Sequence, residues 1–127
     1  TGYRSVATNA GDWSVATNAG YQSVATNAGY QSVATNAGDW SVATNVGYRS
    51  VATNVGYRSV ATVEGDYSIA IVTGRDSSAA GEIGCWLVLT ERDGDYNIIE
   101  VRGVKVDGKE IKANTLYKLE NGKVVAA

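Results

Sequence analysis

A chain of 127 residues with 15 glycines and no proline, methionine, phenylalanine or histidine is too regular for an ordinary globular domain and points to internal repeats. Residues 1–63 hold three arginines against two aspartates, and the rest holds eight basic against eleven acidic residues, so neither half offers the basic face that nucleic acid requires. No run of about 18 apolar residues is present to span a membrane, and a lone cysteine, Cys85, excludes an intrachain disulfide.

The chain opens at Thr1, the last position of a repeat, without methionine, which points to a processed or partial chain and leaves any targeting segment unread. Glycines then recur every nine residues from Gly2 to Gly74, each opening a unit of the form Gly-x-x-Ser-Val-Ala-Thr-Asn-Ala. The seventh unit departs by ending in Val63-Glu64, and the eighth and ninth drift further, as terminal units of a solenoid do. Within a unit, Ser-Val-Ala-Thr-Asn alternates with period two and reads as a strand. The Gly-x-x reads as a turn, with glycine expected to supply a positive φ. Helix loses: a glycine in every unit costs about 1 kcal/mol against alanine, and no 3.6-residue stripe appears.

One unit has a contour of about 30 Å, too short for a closed coil with side chains inside, whereas two units make about 60 Å. The expected fold is therefore all-β: a parallel β-solenoid over residues 1–83 with two repeats per coil, followed by a small β-rich cap over 84–127. One chain contributing a single unit per layer to a multi-chain stack is the alternative. The Val/Thr parity carries more apolar surface and is expected to line the interior. The Ser/Ala/Asn parity would then be a flat outer face, either packed against a second subunit with asparagines laddering between layers, or kept uniform simply by recent duplication of the repeats.

From Gly84 the character changes. Residues 85–90 read as a buried strand, Asp93-Gly94 as a turn and 98–106 as a longer strand, with hairpin turns at Asp107-Gly108 and Asn121-Gly122. Trp86, Leu87, Leu89, Ile98, Ile99, Val101, Val104, Ile111, Leu116, Tyr117 and Leu119 are the expected core of this tail, leaning on the last coil.

The Gly-x-x-Ser-Val-Ala units resemble the head repeats of trimeric autotransporter adhesins, where Ser-x-Ala strands build a trimeric solenoid; the likeness covers the strand motif, the period here being shorter. Taken whole, the chain is similar to uncharacterised bacterial and prophage proteins in which such arrays run into a tail containing Gly84-Cys85-Trp86. The resemblance implies surface or fibre architecture, outside the cell or on a phage particle, and a homotrimer.

No catalytic constellation is present. Histidine is missing, Cys85 reads as a small buried hydrophobe, and serine recurs in every unit. Asp93 and Asp95 sit in a turn, where solubility explains them. Nonapeptide rolls that bind calcium need a carboxylate at each turn, whereas Asp12, Asp39 and Asp66 fall at one turn in three, so neither metal nor cofactor is expected. The informative variation lies after each glycine, where one aromatic occurs per turn: Tyr3, Trp13, Tyr21, Tyr30, Trp40, Tyr48, Tyr57 and Tyr67. Stacked, these would form aromatic ladders for a sugar or a surface protein, or would simply stack on one another and shield the backbone. A non-enzymatic structural or adhesive shaft is the leading expectation, ahead of a glycan- or protein-binding module and a filament assembled through uncapped ends. Ice binding ranks below these, because a Ser/Ala/Asn outer face lacks regular threonine rows.

Overall fold

The period-two segment and the turn of each unit are both realised. The computed structural model describes residues 4–127, and in it the array folds as nine short strands: β1 (Val6–Asn9), β2 (Val15–Asn18), β3 (Val24–Asn27), β4 (Val33–Asn36), β5 (Val42–Asn45), β6 (Val51–Asn54), β7 (Val60–Val63), β8 (Ile69–Val72) and β9 (Ser78–Ala80). They are followed by β10 (Trp86–Arg92), β11 (Ile98–Lys105), β12 (Tyr117–Glu120) and β13 (Lys123–Ala126), with no helix among the described residues. Odd strands β1 to β9 stack in parallel in one sheet, and even strands β2 to β10 in the other. Register is kept throughout the regular part, with Val6 beside Val24, Val24 beside Val42 and Val42 beside Val60. One coil is thus two repeats, and the molecule is a parallel β-solenoid of about five turns.

The two faces of the strands are reversed from expectation. Ala25, Ala34, Ala43, Ala52 and Ala61 are wholly buried together with Asn27, Asn36, Asn45 and Asn54, whereas Val6 and Val15 are 68% and 61% exposed. The reason lies in the turns. Folding the chain back within a few residues brings the sheets so close that the interior admits alanine, and the turn backbone needs polar partners that valine cannot supply.

Serine and asparagine supply those partners. Ser23 Oγ accepts the Ser5 N–H at 3.0 Å, and each later serine does the same for the one a coil before it. The hydroxyl in turn donates to a glycine carbonyl of the preceding coil, as from Ser50 to Gly29 at 3.3 Å. Asn36 Nδ2 donates across its turn to the Val42 carbonyl, and Asn27, Asn45 and Asn54 make the equivalent bond. The expected ladder of asparagines from layer to layer is not formed; their buried Oδ1 atoms have no hydrogen-bond partner.

Glycine's role is also different. The positive φ falls on the third residue of each turn, for example Trp13 at 62° and Arg58 at 51°. The glycine is needed for closeness: a Cβ on Gly29 would lie 1.9 Å from the Gly11 carbonyl oxygen, and one on Gly47 would lie 1.8 Å from that of Gly29. Glycine stacks on glycine, with no room for a side chain between coils.

The tail begins in step with the array. β10 pairs in parallel with β8, Trp86 lying beside Ile69. Chain direction then reverses: β11 runs antiparallel to β10, and β12 runs antiparallel to β9 and β13. Leu87, Leu89, Tyr117 and Leu119 join the alanines in one continuous core, completed by Val63 and Val72, which replace asparagine on the inward parity. Trp86, Ile98, Ile99, Val101 and Leu116, expected inside, are exposed. Asn121 and Gly122 both have positive φ in the turn joining β12 to β13, as predicted. Asp107-Gly108 opens a loop over 106–116 instead of a hairpin.

Candidate functional site

Because successive turns lie on alternate edges of a two-repeat coil, the aromatic residues divide into two ladders. Trp13, Tyr30, Tyr48 and Tyr67 follow one edge, where odd strands cross to even ones; Tyr21, Trp40 and Tyr57 follow the other. Tyr3 lies outside the described residues. Backbone hydrogen bonds tie each turn to the next, as from the Trp13 N–H to the Tyr30 carbonyl at 2.8 Å and from Trp40 to Tyr57 at 2.8 Å. The ladders are therefore held at the spacing of the sheets.

The rings meet one another. Tyr30 and Tyr48 stack with centroids 5.4 Å apart and planes 11° from parallel, Tyr48 meets Tyr67 edge-on at 5.4 Å, and Trp40 meets Tyr57 at 6.3 Å. Guanidinium groups fill the spaces. Arg58 lies 5.2 Å from the Trp40 ring and 5.4 Å from that of Tyr57, and Arg75 lies 5.2 Å from Tyr57. Such contacts shield the edges, at about 0.5–1.5 kcal/mol per aromatic pair. Trp13 and Tyr67 nevertheless keep 72% and 68% of their surface exposed.

The turn aspartates have structural work. Asp12 Oδ1 accepts the Tyr30 N–H at 3.0 Å and Asp39 Oδ1 accepts that of Tyr57 at 2.8 Å, one coil further along. Among the described residues no three metal-binding side chains of the His, Cys, Asp and Glu types converge. Asp93 closes its own turn by accepting the Asn97 and Asp95 N–H groups, each at 2.9 Å, and the first of these bonds chiefly holds its carboxyl below the usual range.

No protein family, curated protein or solved structure matches the chain. The chemistry of its surfaces must carry the functional reading.

Two surfaces went unread in the sequence. One is a groove of about 600 Å³ beside the tail, lined by Trp86, Arg102, Lys105, Asp107, Glu110 and Lys123 among others, with the residues spread over 86–124 and no local motif to mark it. The other is the pair of flat sheet faces. Val6, Val24, Val42 and Val60 run in one row and Thr8, Thr26, Thr44 and Thr62 in a second beside it; Val15, Val33 and Val51 with Thr17, Thr35 and Thr53 repeat the pattern opposite. The periodicity is legible in the sequence, but hydrophobicity assigns valine and threonine to the interior, and the structure places them outside. With Ser/Ala/Asn inside, the reason for expecting a second subunit against that face is gone.

Proposed function

We propose that this chain is a rigid, non-catalytic repeat shaft of a surface-exposed or fibre-forming protein, located outside the cell or on a phage particle. The supporting observation is the doubled bonding of the array: strands β1 to β9 pair in register, and beneath them serine hydroxyls join the turn glycines of adjacent coils. A stack bonded through both sheets and both corners resists bending and carries load along many parallel bonds. The antiparallel strands β11 and β12, lying beyond the last parallel strands, suit the task of closing that end against edge pairing. Homotrimer formation, expected from the adhesin resemblance, and filament growth belong to this proposal, and the molar mass in solution distinguishes them.

The experiment uses coil arithmetic. Duplicating residues 20–37, one full coil, lengthens the particle by about 4.8 Å and leaves the fold unchanged. Inserting a single residue within a strand, between Ala25 and Thr26, turns the residues after it to the wrong face and breaks the register of β3 with β1 and β5. Small-angle scattering with circular dichroism reads both outcomes. Equal tolerance of the two insertions would remove the rigid-stack reading.

A second reading, glycan or protein binding at the aromatic edges, draws on the exposure of Trp13 and Tyr67. Binding on a glycan array that disappears in the double variant Trp13→Ala, Trp40→Ala would support it. Retention of that binding by the variant would count against it.

A further inference from the structure

Each flat face of the array repeats in two dimensions. Along the stack the same residue recurs in every coil at about 4.8 Å, and across it valine and threonine stand two residues apart, about 6.6 Å. The odd-strand face carries four such rows, Val6/Thr8, Val24/Thr26, Val42/Thr44 and Val60/Thr62, and these positions contain no charge. Val6 is exposed, and Val24, Thr26, Val42, Thr44, Val60 and Thr62 are half-exposed.

Magnitude and chemistry narrow the ligand. Four strands of four residues cover about 250 Å², roughly a third of the ~800 Å² that each partner buries in a stable protein complex. A second copy gains too little there. Mineral lattices are gripped through carboxylates and crystalline polysaccharides through aromatic rings, and these rows of the flat face hold neither; Asp12, Asp39 and the rings lie on the edges. What remains is a lattice of neutral water.

On these grounds we propose that the Val-x-Thr face of the odd strands binds the surface of ice. Each threonine offers a hydroxyl that donates to or accepts from lattice water, and its methyl, with the valine beside it, fills the space between lattice oxygens. The rows are held in place from beneath by the in-register sheet and the serine and asparagine bonds of the interior, so binding need not order the backbone. The proposal is independent of the shaft reading, because the activity is carried by the isolated chain.

The test is freezing-point hysteresis and ice-crystal shape with the whole chain. The unaltered protein is expected to give measurable hysteresis and faceted crystals. Thr26→Lys and Thr44→Lys, combined with Thr17→Lys and Thr35→Lys because the opposite face repeats the pattern, should abolish both, with an unchanged circular dichroism spectrum and thermal midpoint showing that the outward substitutions leave the fold intact. Trp13→Ala with Trp40→Ala, on the edges, should retain full activity. Absence of hysteresis in the unaltered folded protein overturns the proposal, and so does activity that survives the four lysines. Activity that depends on the edge rings overturns it equally, since the lattice would then not be the ligand surface.

Discussion

The thiol of Cys85 donates to the carbonyl oxygen of Gly65 at 3.1 Å, the bond that serines of the array make to the glycine of the preceding coil. Cys85 is fully buried, and the Trp86 N–H beside it bonds the Ser68 carbonyl at 3.1 Å, as the residue after each array serine does. Cys85 is therefore the last rung of the serine ladder, one residue early in the chain, and more than the small apolar filler expected from sequence.

Cys85→Ser should accordingly be tolerated, within about 1 kcal/mol of the parent, while Cys85→Ala should be the more destabilising because the Gly65 carbonyl loses its donor, about 1–3 kcal/mol when buried. Chemical denaturation measures both. The thiol should react with a disulfide reagent at the rate of unfolding and no faster. Rapid modification of the folded protein, or an alanine variant as stable as the serine one, would contradict the assignment.

Glycine in this solenoid is a matter of separation, and separation depends on having a coil beneath. A methyl on Gly47 meets the Gly29 carbonyl, whereas one on Gly11 meets, among the described residues, only the Ser14 hydroxyl, at 3.1 Å. Gly47→Ala should lower stability by about 3 kcal/mol, at the upper end for overpacking. Gly11→Ala should cost well under half of that. A requirement for turn conformation alone would make the two equal, so thermal midpoints of the pair decide between the explanations.

The fold was legible because nine-residue spacing, strand alternation and contour length all state something about backbone, and backbone is what a solenoid repeats. The inside was not, because hydrophobicity ranks valine above serine and asparagine without regard to width or to unpaired turn carbonyls. Asn36 and Ser50 are buried for the bonds they make to Val42 and Gly29. One signal did point the right way. Val63 and Val72 occur on the asparagine parity just where the tail brings Leu87 and Leu89 into the core. The aromatic residues were recognised as turn residues, but their division between two edges follows only from the coil holding two units.

Acid should loosen the tail before the array. Asp107 accepts the N–H of Lys109 at 2.8 Å and of Ile111 at 3.1 Å, and the Lys109 bond foremost holds its carboxyl below the ordinary 3.8. A carboxyl depressed in the folded state stabilises it above the unfolded value and loses that contribution as pH falls through the folded one. The protection of the Lys109 and Ile111 amides, relative to the exchange of an unfolded chain at the same pH, should thus fall below pH 3.8 while the array amides stay protected. Asp107→Asn should remove most of this pH dependence. Simultaneous loss of protection across the chain would show that the loop does not open separately.

The edge contact of Arg58 with Trp40 and Tyr57 should be measurable as coupling. At solvent-exposed sites such a cation over an aromatic face is worth about 0.5–1 kcal/mol. A double-mutant cycle on Arg58→Ala and Trp40→Ala should return a coupling in that range, since the guanidinium is 5.2 Å from the ring. The same cycle on Arg58→Ala and Trp13→Ala should return none, the two lying on opposite edges. Coupling in both cycles would mean that the turns act through the coil as a whole and not through ring contact.

The interior asparagines permit the sharpest ranking. Asn54 Nδ2 donates to the Val60 carbonyl, but its Oδ1 is buried without a partner, and its neighbour in the next coil of the same sheet is Val72. Asn54→Val removes that orphaned oxygen along with the useful donor and places valine on valine, so the two effects oppose and stability should shift by no more than about 1 kcal/mol. Asn54→Ala removes the same groups but also leaves a void, and buried large-to-small changes of this kind add the cost of the cavity. Alanine should therefore be clearly the worse of the two, although it is the commonest residue of this core. If alanine proves the milder change, interior width and not hydrogen bonding governs the asparagine position, and the explanation of why this parity faces inward has to rest on size alone.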